Sequence, residues 1–210
     1  MKKSTNNIRL TVSVFISLLC FSLLGQVWAQ TGEKSYGETP KLVVGIVVDG
    51  FRPDYIHRFW DNFSDGGFKR LVKGGHTFRN ASFSYIQTNT GLGHATHLTG
   101  ATPSIHGIIG NGWYSRELDR GIGGVEPVGS GYHGVGTLPD YAGSQSPANL
   151  LVTTVGDELY LHTNRRSKTI GISRKDRGAI FPAGHAGKAY WYELATGNFV
   201  TSSFYMDELP

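Results

Sequence analysis

The sequence predicts an α/β domain, and three observations carry that prediction. The run KLVVGIVVDG (41–50) is almost continuously apolar and β-branched, the pattern of a strand buried on both faces of a parallel sheet. Stretches of helical spacing alternate with strand-like runs in the order β-α-β-α, long loop, α-β. Toward the end, AYWYELATGNFVTSSFY (189–205) reads as a hairpin turning at Ala195–Asn198. The expected architecture is a mostly parallel sheet flanked by helices, with a Gly-rich loop excursion and a C-terminal hairpin. The chain stops at YMDELP without a closing element, so the domain is expected to be incomplete there.

Each element has its own justification. Pro53 suits the first turn of a helix, and Tyr55, Ile56, Phe59, Trp60 and Phe63 follow at helical spacing. GGFKRLVKGG (66–75) predicts a second helical piece that stops at Gly74–Gly75. HTFRNASFSYI (76–86) predicts a strand, and a helix from about Gly91 to Thr99 is closed by Gly100 and Pro103. IHGIIGNGWY (105–114) is expected to be a loop, and the Gly-rich 121–147 a surface excursion or lid. Ser146–Pro147 can start a helix whose apolar side carries Leu150, Leu151, Val155, Leu159 and Tyr160. SKTIGIS (167–173) predicts another strand.

The first 29 residues have the order of a secretory signal. Lys2, Lys3 and Arg9 come first, then TVSVFISLLCFSLLG, then the small-residue end of VWA at Val27–Ala29. The apolar run is short for a membrane span, although a retained anchor is the competing reading. Residues 30–40 form a polar leader, and 41–210 the domain. Without 1–29 the balance is 17 basic against 16 acidic residues, so the formal charge of +4 gives no reason to expect nucleic acid. Cys20 lies in the expected signal segment, which leaves the mature chain without disulfides or thiolate metal ligands. The expectation is a bacterial periplasmic or secreted protein with no stable membrane span after cleavage.

Chemistry concentrates in a few places. Asp49 ends the first expected strand, the sheet edge where α/β domains bind ligands; a carboxylate there can hold a cation or cap the next turn. Thr90 opens the helix in TNTGLGHATHLTG, where free N–H groups favour anions, and Gly91 and Gly93 leave room for a tetrahedral oxyanion. The competing role for Thr90, or for Thr88, is a helix cap. A threonine hydroxyl is a weak nucleophile unless a base or metal activates it. His94 and His97 have a zinc-like spacing, but packing or hydrogen bonding is the preferred reading for both, as it is for His106. Asn111 can donate two N–H groups to an oxyanion or serve a turn. Lys175 and Arg177 point the same way if the backbone is extended, and a point charge beside a planar fork suits a phosphate dianion; a solvated charged turn is the alternative. Neither a G-x-x-x-x-G-K loop nor a G-x-S-x-G elbow occurs.

Taken in order, VVDG, TGLGHATHLTG and HGIIGN resemble the alkaline phosphatase superfamily, in outline its nucleotide pyrophosphatase/phosphodiesterases. SRKDRGA resembles more narrowly the phosphate-irrepressible alkaline phosphatase branch. The resemblance runs from Lys41 to the end and implies an alkaline-phosphatase-like fold with two zinc ions. It implies Thr90 as the nucleophile, phosphorylated and then hydrolysed, and Asp49 as a zinc ligand beside the Thr90 oxygen. Asn111, Lys175 and Arg177 would contact phosphoryl oxygens of small phosphate monoesters. The family's further Asp and His ligands would lie beyond Pro210, so the chain is read as the N-terminal part of such an enzyme, inactive alone. A phosphodiesterase of the same superfamily and a non-catalytic phosphoester-binding remnant are the competing readings.

Overall fold

The computed structural model describes residues 40–129, 131–137 and 143–210. The expected signal segment and all but the last leader residue lie outside the described residues. By contacts between residues the chain divides after Val48, and the helices and strands of the described residues lie in Asp49–Pro210.

The α/β class holds, in a chain that mixes both kinds of strand pairing. Among the described residues four short α-helices come first: α1 (Asp54–Arg58), α2 (Phe68–Gly74), α3 (Thr90–Thr99) and α4 (Pro103–His106). A hairpin follows, β1 (Gly112–Ser115) pairing antiparallel with β2 (Arg120–Gly123). Then come β3 (Gly134–Val135), α5 (Val155–His162), β4 (Ile170–Ser173), α6 (Asp176–Ala183), β5 (Lys188–Tyr192) and β6 (Phe199–Ser202). The larger sheet has the order β3-β6-β5-β4, with β4 and β5 parallel and the other two pairings antiparallel. The hairpin expected over 189–205 is β5–β6.

The centre is a β-α-β unit. Parallel strands cannot be joined by a tight turn, and α6 makes the crossover from β4 to β5. It packs on both strands and, from its other side, on α3. Glycines bring these layers close: a Cβ at Gly171 would run into the Ala179 carbonyl, and one at Gly178 into the Ser173 side chain. Phe181, Ile180, Ala179, Ala183, Ala189, Trp191, Val200, Ala95 and Ile108 then form one buried cluster. Gly100 ends α3 at φ +66°, a conformation that costs glycine least.

Three sequence expectations differ from the structure. Residues 41–48 do not form a strand: they join neither sheet, and Leu42, Val43, Val44 and Ile46 are exposed. Residues 76–86 are likewise unpaired, with Phe78 and Ile86 exposed. Apolar, β-branched composition gives a strand propensity, but a strand exists only through a partner's hydrogen bonds, and among the described residues neither run has one. The helix expected from Ser146 begins instead at Val155. There Thr154 and Asp157 form a reciprocal capping box, while the backbone of 150–151 is used elsewhere: Leu150 N–H closes a turn on Pro147, and Leu151 N–H reaches His106. The described residues of the Gly-rich 121–147 are mostly irregular, as an excursion should be, but they are tied down at buried Val125, Val135 and Ser146.

Candidate functional site

Thr90 is the first residue of α3. Asn89 is the N-cap, and its side chain makes no cap hydrogen bond. The first N–H groups of a helix have no partners within it. Gly91 finds one outside, donating to Asn111 Oδ1 at 2.7 Å. This answers why the helix opens with glycine. A Cβ at Gly91 would stand 3.1 Å from the Gly110 carbonyl oxygen and 3.3 Å from Asn111 Oδ1, whereas one at Gly93 would meet nothing within 4 Å. Gly91 admits the Asn111 loop; Gly93 faces open space.

The Thr90 hydroxyl donates to Asp49 Oδ2 at 2.9 Å, joining residues 41 positions apart. Asp49 sits in an exposed turn with Gly50 at φ +71°, and Thr90 is half-buried. Because Asn111 Oδ1 accepts from Gly91, the other end of its carboxamide, the two-donor Nδ2, faces away from the helix. The sequence thus placed Asp49, Thr90 and Asn111 as separate candidates, and the fold brings them to one end of α3.

Lys175 and Arg177 stand at the start of α6. The extended backbone assumed for them does not persist: Lys175 is the extended N-cap, at φ −121° and ψ 149°, and Arg177 is already helical. They therefore leave the chain from the N-cap and the second helical position, with Asp176 between them. Two cations there oppose the helix dipole, an arrangement that an anion would relieve. Asp176 offsets part of this, with Arg177 Nη1 3.6 Å from its Oδ1, while Arg177 Nε is buried without a hydrogen-bond partner. A Cβ at Gly178 would lie 3.9 Å from His94 Nε2, which sets the starts of α3 and α6 side by side. Neither Lys175 nor Arg177 hydrogen-bonds to Asp49, Thr90 or Asn111. The histidines of α3 and α4 are occupied or turned away. His94 Nδ1 donates to the Thr90 carbonyl at 2.8 Å, His106 is fully buried, and His97 is exposed.

Whether these residues suit a metal is decided by donor chemistry. Asp49 Oδ2 and Thr90 Oγ1 converge as two oxygen donors, of a kind that zinc accepts. No group of three or more His, Cys, Asp or Glu side chains that could hold a metal occurs among the described residues. The pair fits as part of a zinc site and does not complete one.

Sequence reasoning passed over one charged cluster. Asp157, buried, accepts from Thr154 N and Oγ1, His185 N, Ala186 N and His185 Nδ1 at 2.7–3.3 Å. Burial pushes its carboxyl pKa up, but the hydrogen bonds from His185, Thr154 and Ala186 outweigh that and hold it at about 2. The same hydrogen bond to Asp157 raises the His185 pKa against burial. Burial, and then the Asp157 charge, push the Tyr205 phenol well above its usual range. The cluster ties α5 to the turn after α6. T-V-G-D at 154–157 was the legible signal, a capping box with Asp in the fourth place.

Comparison with known proteins now bears on this geometry. The family described as Type I phosphodiesterase / nucleotide pyrophosphatase matches residues 43–123, which include Asp49, Thr90 and Asn111. Alkaline phosphatase PafA of Elizabethkingia meningoseptica is 45% identical over 177 residues, 81% of this chain and 31% of that protein. Its crystal structure superimposes with a TM-score of 0.80 at 44% identity, covering 83% of this chain and 33% of PafA. The resemblance to the alkaline phosphatase superfamily holds in both sequence and fold. Alkaline phosphatase PhoV of Synechococcus elongatus is 49% identical over 172 residues, again 81% of this chain and 31% of that protein. A PafA variant with Thr→Ser, Asn→Ala, Lys→Ala and Arg→Ala changes superimposes with a TM-score of 0.79 at 42% identity over 83% of this chain and 34% of that one. The chain thus spans about a third of the length of these relatives.

Proposed function

We propose that this chain carries the nucleophile side of an exported, zinc-dependent phosphomonoesterase acting through a phosphothreonine at Thr90. The observation that carries the reading is the Thr90 Oγ1–Asp49 Oδ2 hydrogen bond of 2.9 Å at the start of α3. Support comes from the PafA variant, whose altered threonine and asparagine are 21 positions apart and whose lysine and arginine are two apart. Thr90 and Asn111, and Lys175 and Arg177, have the same order and separations.

In the reaction, Thr90 Oγ1 bonds to phosphorus as the bond from phosphorus to the ester oxygen breaks. The hydroxyl proton, held toward Asp49, is lost to solvent, and the departing oxygen takes one up from solvent as the alcohol. Water then attacks the phosphothreonine, returning the hydroxyl and releasing inorganic phosphate. The free Nδ2 of Asn111 and the cations of Lys175 and Arg177 face the negative charge that spreads over the phosphoryl oxygens. One such donor contributes on the order of 3 kcal/mol. Zinc, held in part by Asp49 and Thr90, supplies Lewis acidity to the nucleophile and the leaving oxygen. Asp49 and Thr90 do not by themselves complete a zinc site, so the 210-residue chain with added zinc is expected to show little or no turnover.

A phosphodiesterase is the second reading, favoured by the family description over residues 43–123. The start of α6 separates the two. A monoester dianion gains more than a diester monoanion from Lys175 and Arg177. In the complete enzyme, kcat/KM for an aryl phosphate is expected to exceed that for a bis-aryl phosphate, and Lys175→Ala with Arg177→Ala to narrow the gap. Preference for the diester would overturn the monoesterase assignment. Thr90→Ala is expected to lower kcat by several orders of magnitude and to abolish a trappable phosphoprotein. Full turnover in that variant would overturn the mechanism, and failure of the complete protein to bind zinc or turn over either ester would leave a binding remnant.

A further inference from the structure

The motif HGIIGN contributes Asn111 to the site, but its first residue has been given no task. His106 closes α4 and is fully buried. Its Nδ1 faces Ile108 N–H at 3.1 Å, and its Nε2 faces Thr96 Oγ1 at 2.9 Å. A backbone N–H can only donate, so Nδ1 carries no proton, and the neutral ring must carry its proton on Nε2 and donate it to Thr96. Tyr85 Oη donates to the same hydroxyl at 2.7 Å. Burial lowers the His106 pKa, in keeping with a ring that stays neutral.

Two clamps therefore hold the 106–111 loop to α3. His106 grips the helix at Thr96, and Asn111 grips it at Gly91. The clamps are five residues apart on the helix, about 7.5 Å of rise, and five apart on the loop. Between them Ile108 is seated in the core. The loop backbone is also held by Leu151 N–H on the His106 carbonyl and Gly124 N–H on the Asn111 carbonyl. With one side-chain clamp removed the loop is freer to shift against α3, and the Asn111 carboxamide loses part of its fixed direction.

We propose that His106 is a positioning residue: through its Nε2–H bond to Thr96 it pins the HGIIGN loop to α3 and so aims Asn111 at the helix start. The relevance to catalysis rests on the phosphatase reading above, but the clamp itself does not.

Gly91 N–H reports on it directly. As the second residue of α3 it has no acceptor within the helix, so its protection from hydrogen exchange depends on Asn111. In the 210-residue chain, Asn111→Ala should remove that protection. His106→Asn keeps an acceptor for Ile108 N–H but cannot reach Thr96, and should speed Gly91 exchange about tenfold, the scale of one net hydrogen bond. His106→Gln can place a donor where Nε2 stands and should stay within about threefold of the parent. Thr96→Val, a nearly isosteric loss of the hydroxyl, should match His106→Asn and serves if that variant does not fold. In the Asn111→Ala background, His106→Asn should add less than about twofold. Unchanged exchange in Thr96→Val, equal effects of the Asn and Gln variants, or full additivity with Asn111→Ala would overturn the proposal. Unimpaired turnover of Thr90→Ala in the complete enzyme would instead sink the catalytic reading and leave the exchange pattern to decide the clamp.

Discussion

Residues 49–89 and residues 90–210 are both rich in apolar side chains, yet they end in different states. Among the described residues, every buried one lies at Gly91 or later. The earlier segment does make contacts: Phe51 stacks on Phe68 at 5.2 Å, Phe63 lies 5.0 Å from Phe68, and Tyr55 meets both Phe51 and Phe59. Of these rings only Tyr55 and Phe68 lie in helices, of five and seven residues and too short to be stable by themselves; Phe51, Phe59 and Phe63 flank them. The later segment buries its side chains because β4, α6, β5 and α3 present complementary faces, with glycines where backbones must approach. Apolar content is thus similar in kind, and layering makes the difference.

The largest effect should come from the layered side. Phe181→Ala empties a fully buried site on α6, where the ring reaches Gly91 of α3, and is expected to cost about 3–5 kcal/mol in urea unfolding. Phe68→Ala in the half-buried ring cluster should cost less, about 1 kcal/mol. Equal costs would break the comparison.

Next comes the charged link from α5 to the turn after α6. The Asp157 pKa falls from 3.8 to about 2 on folding, which is worth about 2 kcal/mol. That stability is fully present above the unfolded value near 3.8 and is lost as pH falls through about 2. His185 has the opposite sign, because its folded pKa is raised. Its contribution is full below the unfolded value of 6.5 and is lost as pH rises through the folded one. Urea midpoints should therefore fall at both ends of the pH range, and Asp157→Asn should flatten both arms while costing about 3 kcal/mol near neutrality. A pH profile unchanged in that variant would show that the cluster does not govern it.

The smallest effects sharpen the reading of the site helix. Gly93→Ala fills open space and should stabilise by up to about 1 kcal/mol through helix propensity. Gly91→Ala gains the same propensity but presses on the Gly110 carbonyl and Asn111, so it should destabilise by about 1 kcal/mol. Stabilisation by both would mean that the Asn111 loop gives way easily.

By itself the sequence determined the α/β class, the extents of α2 and α3, the β5–β6 hairpin, and the residues on which the proposed chemistry is built. Gly and Pro boundaries and helical spacing act over a few residues, and the ordered motifs around Asp49, Thr90, Asn111, Lys175 and Arg177 can be read without knowing what they touch. Tertiary structure alone decided the rest. It left 41–48 and 76–86 unpaired, moved the α5 start to the Thr154–Asp157 box, and turned Lys175–Arg177 into a helix start. It also placed the Asn111 carboxamide on Gly91 and gave His106 and Asp157 their partners. The physical reason is common to all of these. Strand pairing, burial and charge stabilisation are properties of two segments meeting, and their free energy is absent from either segment alone.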